Sequence, residues 1–239
     1  MFAGPNRSGK STLKSLLRPE LLGVFINPDD IEQGIRSQGY LDLASYGVNV
    51  SAEEVLAVFR ESSRLQEAGM GELARLVRYS GGRLDFGCGE VNSYLASVAG
   101  DLIRKKLVEM RATFTLETVM SHPSKVELLE QAQAAGYRTY LYYVATEDPA
   151  INVSRVRNRV GLGGHDVPED KIVQRYYRSL ELLWNAVRKT NRAYIFDNSG
   201  DNPDHQHTWL AEVTDGEQLV LKADRIPAWF KKAVLDKIP

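Results

Sequence analysis

The sequence predicts an α/β fold in which helices cover a parallel sheet. Short β-branched or aromatic runs at Gly23–Asn27, Ala112–Glu117, Arg138–Ala145 and Arg192–Asp197 are each followed by a segment with helical spacing. That alternation argues for parallel strands joined by crossover helices. A chain of 239 residues with 43% hydrophobic side chains can also bury a sizeable core without disulfides. Finally, a glycine-rich segment from Gly4 to Ser11 stands where a strand-loop-helix unit should open.

Only Met1-Phe2-Ala3 precede that segment, against the ~5 residues of an ordinary strand, so the first strand is short or begins upstream of Met1. Val24-Phe25-Ile26 forms the next strand and stops at Pro28, with a helix expected from Ile31. About 85 residues then pass before the following run, against the roughly 10 to 15 a crossover helix needs, so residues 39–90 are an insertion. Ser51 is expected to cap a helix beginning Ala52-Glu53-Glu54, because Ser-x-x-Glu satisfies two orphan N–H groups reciprocally. Val55, Leu56, Phe59, Leu65, Leu73, Leu76 and Val77 give it an apolar stripe, broken near Gly69 and Gly71, so the insertion reads as helical. Asn92 to Met110 is the helix that feeds the next strand. Asp166-x-x-Glu169, with Pro168 in the first turn, reads as a second capping box after a glycine loop, within a segment of about 155–180 that resembles a lid. Asp215-Gly216 between Trp209–Val213 and Gln218–Leu221 signals a hairpin, and a last helix should follow Pro227, placing a hairpin and helix at about 206–239. Residues 1–239 are expected to form one domain.

Thirty Lys and Arg against thirty-one Asp and Glu leave a net charge of −1, which removes the whole-chain basic excess of a dedicated nucleic-acid binder. A single cysteine, Cys88, excludes a disulfide framework and a cysteine zinc site and fits a reducing compartment. No apolar stretch approaches the ~20 residues that span a bilayer, so no membrane association is expected and the cytoplasm is the expected location.

Gly4-Pro5-Asn6-Arg7-Ser8-Gly9-Lys10-Ser11 matches G-x-x-x-x-G-K-[ST], and Thr12 follows. In that spacing the glycines let backbone N–H groups wrap phosphates at a helix N-terminus, the lysine reaches the β and γ phosphates and the serine holds Mg²⁺. A glycine turn that merely caps a helix is the bland alternative. Asp29 and Asp30 close the second strand, at the end that faces the ligand crevice of an α/β sheet. One of them can take a proton from an acceptor hydroxyl, or hold Mg²⁺ through water, while the other caps the helix. Glu117 closes the third strand in the same way. From Arg155 to Arg192 there are nine Lys or Arg against four Asp or Glu. Arginines beside a flexible glycine loop can clamp phosphoryl oxygens as it closes, although a solvated charged face would look the same.

GPNRSGKST, FINPDDI, FTLETVMS, GGHDVPEDKIVQRYYRSL and FDNS occur in that order. Together they closely resemble the zeta toxin family of P-loop kinases, particularly its stand-alone ABC-ATPase-like bacterial branch. The resemblance implies a P-loop kinase-like three-layer sandwich with a parallel sheet of about five strands. It further implies ATP and Mg²⁺ as cofactors, and phosphorylation of a hydroxyl on a small-molecule acceptor, in zeta toxins a UDP-amino sugar. A small protein antitoxin or inhibitor is the implied partner. Matched by position, Gly4, Pro5, Asn6, Arg7, Ser8, Gly9, Lys10, Ser11 and Thr12 would bind ATP, with Ser11 on the metal. Asp29 would be the base, and Glu117 and Thr118 would contact the acceptor. The lid arginines would be Arg157 or Arg159 with Arg175 or Arg178, and Asn198 would lie at the adenine end. Arg7 departs from the family, which has a small residue there.

An ATP-gated binding module with little phosphotransfer is the competing reading, and kinase action on nucleic-acid ends is disfavoured by the charge balance.

Overall fold

Two residues, Phe2–Ala3, make up strand β1, and both are buried. The computed structural model describes residues 1–87, 92–161, 167–200 and 207–238. The chain divides into two units, Met1–Arg18 with Thr118–Pro239, and Pro19–Glu117. After β1 the first unit continues through a glycine-bearing loop into helix α1 (Lys10–Ser15).

The second unit opens with β2 (Val24–Ile26) and α2 (Pro28–Gln38). Here the structure corrects the sequence reading. The Asn27 side chain accepts the Asp29 N–H at 3.1 Å and Pro28 occupies the first helical position, so the helix starts three residues before Ile31. Asp29 and Asp30 therefore sit in the first turn, and neither is the cap. Gly39, at φ 79°, ends the helix.

Residues 39–90 are not helical throughout, because β3 (Tyr40–Asp42) precedes the helices and β4 (Arg78–Ser80) and β5 (Arg83–Asp85) follow them. The three strands pair antiparallel in the order β3-β5-β4. Between them run α3 (Ala52–Arg60), α4 (Ser63–Glu67) and α5 (Gly71–Leu76). Ser51 caps α3 by accepting the Glu54 N–H, as the spacing predicts, and Glu54 also pairs with Lys106. The break at Gly69 is real, with φ 71°. The unit closes with α6 (Ser93–Glu109), capped by the Asn92 side chain, and β6 (Phe114–Thr118), which pairs in parallel with β2.

The first unit resumes with α7 (Ser124–Ala134), β7 (Tyr140–Ala145), α8 (Pro149–Gly161), α9 (Glu169–Arg188) and β8 (Arg192–Asp197). It ends with β9 (Thr208–Thr214), β10 (Gln218–Leu221) and α10 (Ala228–Ala233). The strands of this unit run in the order β10-β9-β8-β7-β1. β1, β7 and β8 are parallel and the hairpin is antiparallel. With β2 and β6, five strands take part in parallel pairing, as expected of this mostly parallel α/β fold. Alternation along β7 and β8 sends Leu141, Tyr143, Ala145, Ala193 and Ile195 into a core shared with α7, α9 and α10. Asp215 and Gly216 have φ 49° and 72°, and a Cβ on Gly216 would lie 2.8 Å from the Arg188 carbonyl oxygen, so this turn admits only glycine there.

The second expected capping box is also corrected. α9 has Pro168 at its N-cap with no side-chain cap, and Glu169 pairs with Arg157 instead. Asp166, with the rest of the glycine loop from 162, lies outside the described residues.

At the other end of the unit, the Trp229 ring N–H donates to Asp197 at 2.7 Å. The same carboxylate accepts the Ser199 N–H and hydroxyl, Ser199 accepts the Glu147 N–H, and Glu147 accepts the Ala228 N–H. Trp229→Phe keeps most of the ring volume but removes one of the three donors to Asp197, so thermal or urea unfolding should show a loss of about 1 kcal/mol. An unchanged midpoint would mean that the bond contributes nothing. Among the described residues no helix is long and apolar enough to cross a membrane.

Candidate active site

The loop between β1 and α1 is shaped by three residues with positive φ: Gly4 at 140°, Arg7 at 56° and Gly9 at 103°. Alternating backbone handedness of this kind turns successive N–H groups toward one concavity, an anion nest. Arg7 is an L residue in the left-handed region and holds that conformation at a cost of ~1 kcal/mol. Gly4 is forced by its surroundings, since a Cβ there would stand 2.0 Å from the backbone oxygen of Val144, inside β7. Gly4→Ala must push the loop off β7, and a loss of about 2 kcal/mol in unfolding free energy is expected. Wild-type stability would show that the loop is not seated as described.

Lys10 curls back over this loop. Its ammonium donates to the carbonyl oxygens of Gly4 at 3.0 Å and Pro5 at 2.9 Å, and the side chain is buried. Ser11 and Thr12 follow on the exposed first turn of α1, whose N-cap, Gly9, offers no side-chain acceptor. Two buried polar atoms of the loop, the Ser8 hydroxyl and the Asn6 amide oxygen, have no hydrogen-bond partner. A nest of N–H groups, an ammonium and an orphaned buried hydroxyl match the donor set a polyphosphate needs. Among the described residues no three His, Cys, Asp or Glu are grouped to hold a metal.

Behind the loop stands a polar support that the sequence reading missed. Asn152, buried on α8, donates to the Asn6 carbonyl at 2.5 Å and accepts the Thr146 hydroxyl at 2.6 Å. Tyr176 of α9 in turn donates to the Thr146 carbonyl at 2.6 Å, and burial pushes its own pKa well up, keeping it a donor. The available signal was weak: Asn152 is a polar residue beside Val153 and Val156 on the apolar stripe of α8. The Asn198 side-chain amide donates to the Ser8 carbonyl at 2.8 Å, which puts it against the glycine loop ahead of α1. Next to it His207 places Nε2 2.9 Å from the Gly9 carbonyl oxygen. Arg155 holds the backbone of this segment by donating to the carbonyls of Asn198 and Gly200.

The other arginines occupy the two helices flanking the glycine loop. Arg157 is paired with Glu169, Arg159 and Arg178 are exposed, and Arg175 is half-buried. Val153, Val156 and Ile172 pack α8 on α9.

In the second unit Asp29 and Asp30 are exposed on the first turn of α2. A cavity of about 290 Å³ beside that turn is lined by Asp30, Gln38, Tyr40, Asp42, Ser45 and Tyr46 among others. Burial, and then the Asp30 charge, push the Tyr46 pKa up. Glu117 and Thr118 end β6, both half-buried. The Thr118 hydroxyl oxygen accepts the N–H of Met120, a fully buried residue held at φ 54°.

A family model described as Zeta toxin matches residues 90–208. That stretch holds Glu117, Thr118, the arginine-bearing helices, Asn198 and His207, and it leaves the phosphate loop and Asp29 outside. A relative from Haemophilus influenzae, described as an uncharacterized protein, is 29% identical over 69 residues. The match takes in 29% of this chain and 49% of the relative, so about half of that protein is spanned. Two crystal structures of AvrRxo1-ORF1:AvrRxo1-ORF2 are similar, one with sulphate ions (TM-score 0.48) and one with ATP (TM-score 0.44). Each is 14% identical and covers 92% of this chain and 60% of the other. Residues 90–208, just under half of the chain, thus match the zeta toxin family, and a G-x-x-x-x-G-K-[ST] motif stands ahead of that stretch.

Proposed function

We propose that the chain is an ATP-dependent kinase that transfers the γ-phosphoryl group to a hydroxyl of a small molecule. The observation that carries this reading is the loop from Gly4 to Gly9, a nest with the Lys10 ammonium lying over it and an orphaned Ser8 hydroxyl inside it. Phosphoryl transfer asks the protein mainly for positioning and charge stabilisation, and these residue types supply both.

In this reading Lys10 leaves the Gly4 and Pro5 carbonyls to pair with phosphate oxygens, and Ser11 holds magnesium, which neutralises phosphate charge when bound. Asp29 takes the proton of the acceptor hydroxyl as its oxygen bonds to Pγ and the bond to the ADP oxygen breaks. Arg159, Arg175 and Arg178 stabilise the charge on the transferring group, and Glu117 and Thr118 orient the acceptor. The family match supports a UDP-amino sugar as acceptor and a small protein antitoxin as partner.

The test is incubation of the full chain with γ-labelled ATP and magnesium, alone, with UDP-N-acetylglucosamine and with a panel of small hydroxyl compounds. Label on the nucleotide sugar supports the whole reading, and label on another acceptor supports the kinase alone. ATP binding without transfer to any acceptor would make the chain an ATP-binding regulatory module, the reading that the unusual Arg7 favours. No ATP binding would overturn both.

A further inference from the structure

Ser8 and Gly9 carry adjacent carbonyls immediately before Lys10, and each meets a side chain from far along the sequence. The Asn198 amide donates to the Ser8 oxygen at 2.8 Å, and His207 Nε2 lies 2.9 Å from the Gly9 oxygen. A carbonyl oxygen can only accept, so the His207 proton sits on Nε2. Burial, the largest influence on this ring, lowers its pKa and favours the neutral form, against the opposing pull of the Gly9 hydrogen bond and with the nearby Arg155 charge on the side of burial. The Gly9 oxygen also accepts the Leu13 N–H, the first backbone bond of α1, so His207 takes up its remaining lone pair.

The packing is close. A Cβ on Gly9 would fall 2.2 Å from the Asn198 nitrogen and 2.8 Å from His207 Nε2, so the glycine of the motif is what admits the two donors. Both donors are themselves braced. Arg155 holds the Asn198 carbonyl, and the His207 ring stands edge-on to Phe196 at 6.4 Å.

In a trans peptide the C=O and the N–H point to opposite sides. A donor fixed on the Ser8 carbonyl therefore fixes the direction of the Gly9 N–H, and one fixed on the Gly9 carbonyl fixes that of the Lys10 N–H. We propose that Asn198 and His207 are positioning residues of the phosphate loop, holding two successive carbonyls from behind so that the Gly9 and Lys10 N–H groups face the bound phosphates. The assignment rests on the ATP-binding part of the proposed function and adds the device that orients the nest. Preorganised donors bind charge more strongly than donors that must first be turned toward it.

The test is titration of the full chain with ATP, and with adenosine as a ligand lacking phosphates, in wild type, His207→Phe and His207→Gln. His207→Phe keeps an aromatic ring against Phe196 but removes the donor, whereas the glutamine amide can donate from a similar reach. His207→Phe should weaken ATP binding ~10-fold, the scale of one lost hydrogen bond in a buried setting, with adenosine binding unchanged and His207→Gln close to wild type. ATP binding by His207→Phe equal to wild type overturns the assignment, as do equal losses in both variants, which would reveal packing and not donation. A loss shared by adenosine overturns it too. If His207→Phe does not fold, Asn198→Ala takes its place under the same criteria. Failure of the wild-type chain to bind ATP would instead overturn the proposed function, and this assignment with it.

Discussion

Lys10→Ala is expected to lower phosphoryl transfer by ~10³-fold, because the ammonium is the cation of the motif whose place is to follow charge onto the phosphate oxygens. The structure adds a second effect that the motif alone hides. Lys10 Nζ is hydrogen-bonded to Gly4 and Pro5 and buried, so its removal also leaves two loop carbonyls short of a partner. The variant should unfold about 1 kcal/mol more easily while remaining folded at 25 °C. Steady-state rates with ATP, alongside thermal unfolding, separate the two effects. A wild-type rate in a folded variant would remove the loop from the chemistry.

Asp29→Asn is expected to cost 10²-fold or more in acceptor phosphorylation with ATP affinity nearly unchanged, the scale typical of losing a general base. Asparagine keeps the shape and cannot take the proton. The experiment is cleaner than the sequence implied, because Asn27 caps α2 and neither aspartate is needed for that task. Each substitution loses only the favourable interaction of a first-turn carboxylate with the helix dipole, about 0.5 kcal/mol. Asp30→Asn, beside Tyr46, should leave the rate within a few fold of wild type on the same reasoning. A large loss at Asp30 with none at Asp29 would exchange their roles, and no loss at either would take the base off this helix.

The features legible in the sequence were those governed by neighbours in the chain. The Ser51 cap, the Asp215-Gly216 turn, the β-branched runs of β7 and β8 and the glycine-bearing loop ahead of α1 all follow from local chemistry, and all stand where the spacing put them. The strands β3, β4 and β5 escaped because each is three residues long, too short for an alternating pattern to emerge. The start of α2 escaped because Asn27-Pro28 ends a strand and opens a helix at once, and only the first role was noticed. The supports of the loop were illegible for a different reason. Asn152 acts 146 residues from Asn6, and His207 acts 198 residues from Gly9. Nothing in the local pattern of a buried asparagine or a lone histidine distinguishes such a partner from a solvated side chain, so only the tertiary structure reveals it.

The tie from Trp229 to Asp197 bears on where the evolutionary unit ends. Similarity to the family stops at residue 208, but the hairpin and α10 beyond it cover Ala193 and Ile195 and fix the carboxylate next to Asn198. A polypeptide cut at the limit of homology would bare one side of β8 and release the segment that reaches back to the phosphate loop. The stretch that the family model matches is thus shorter than the stretch that must fold cooperatively.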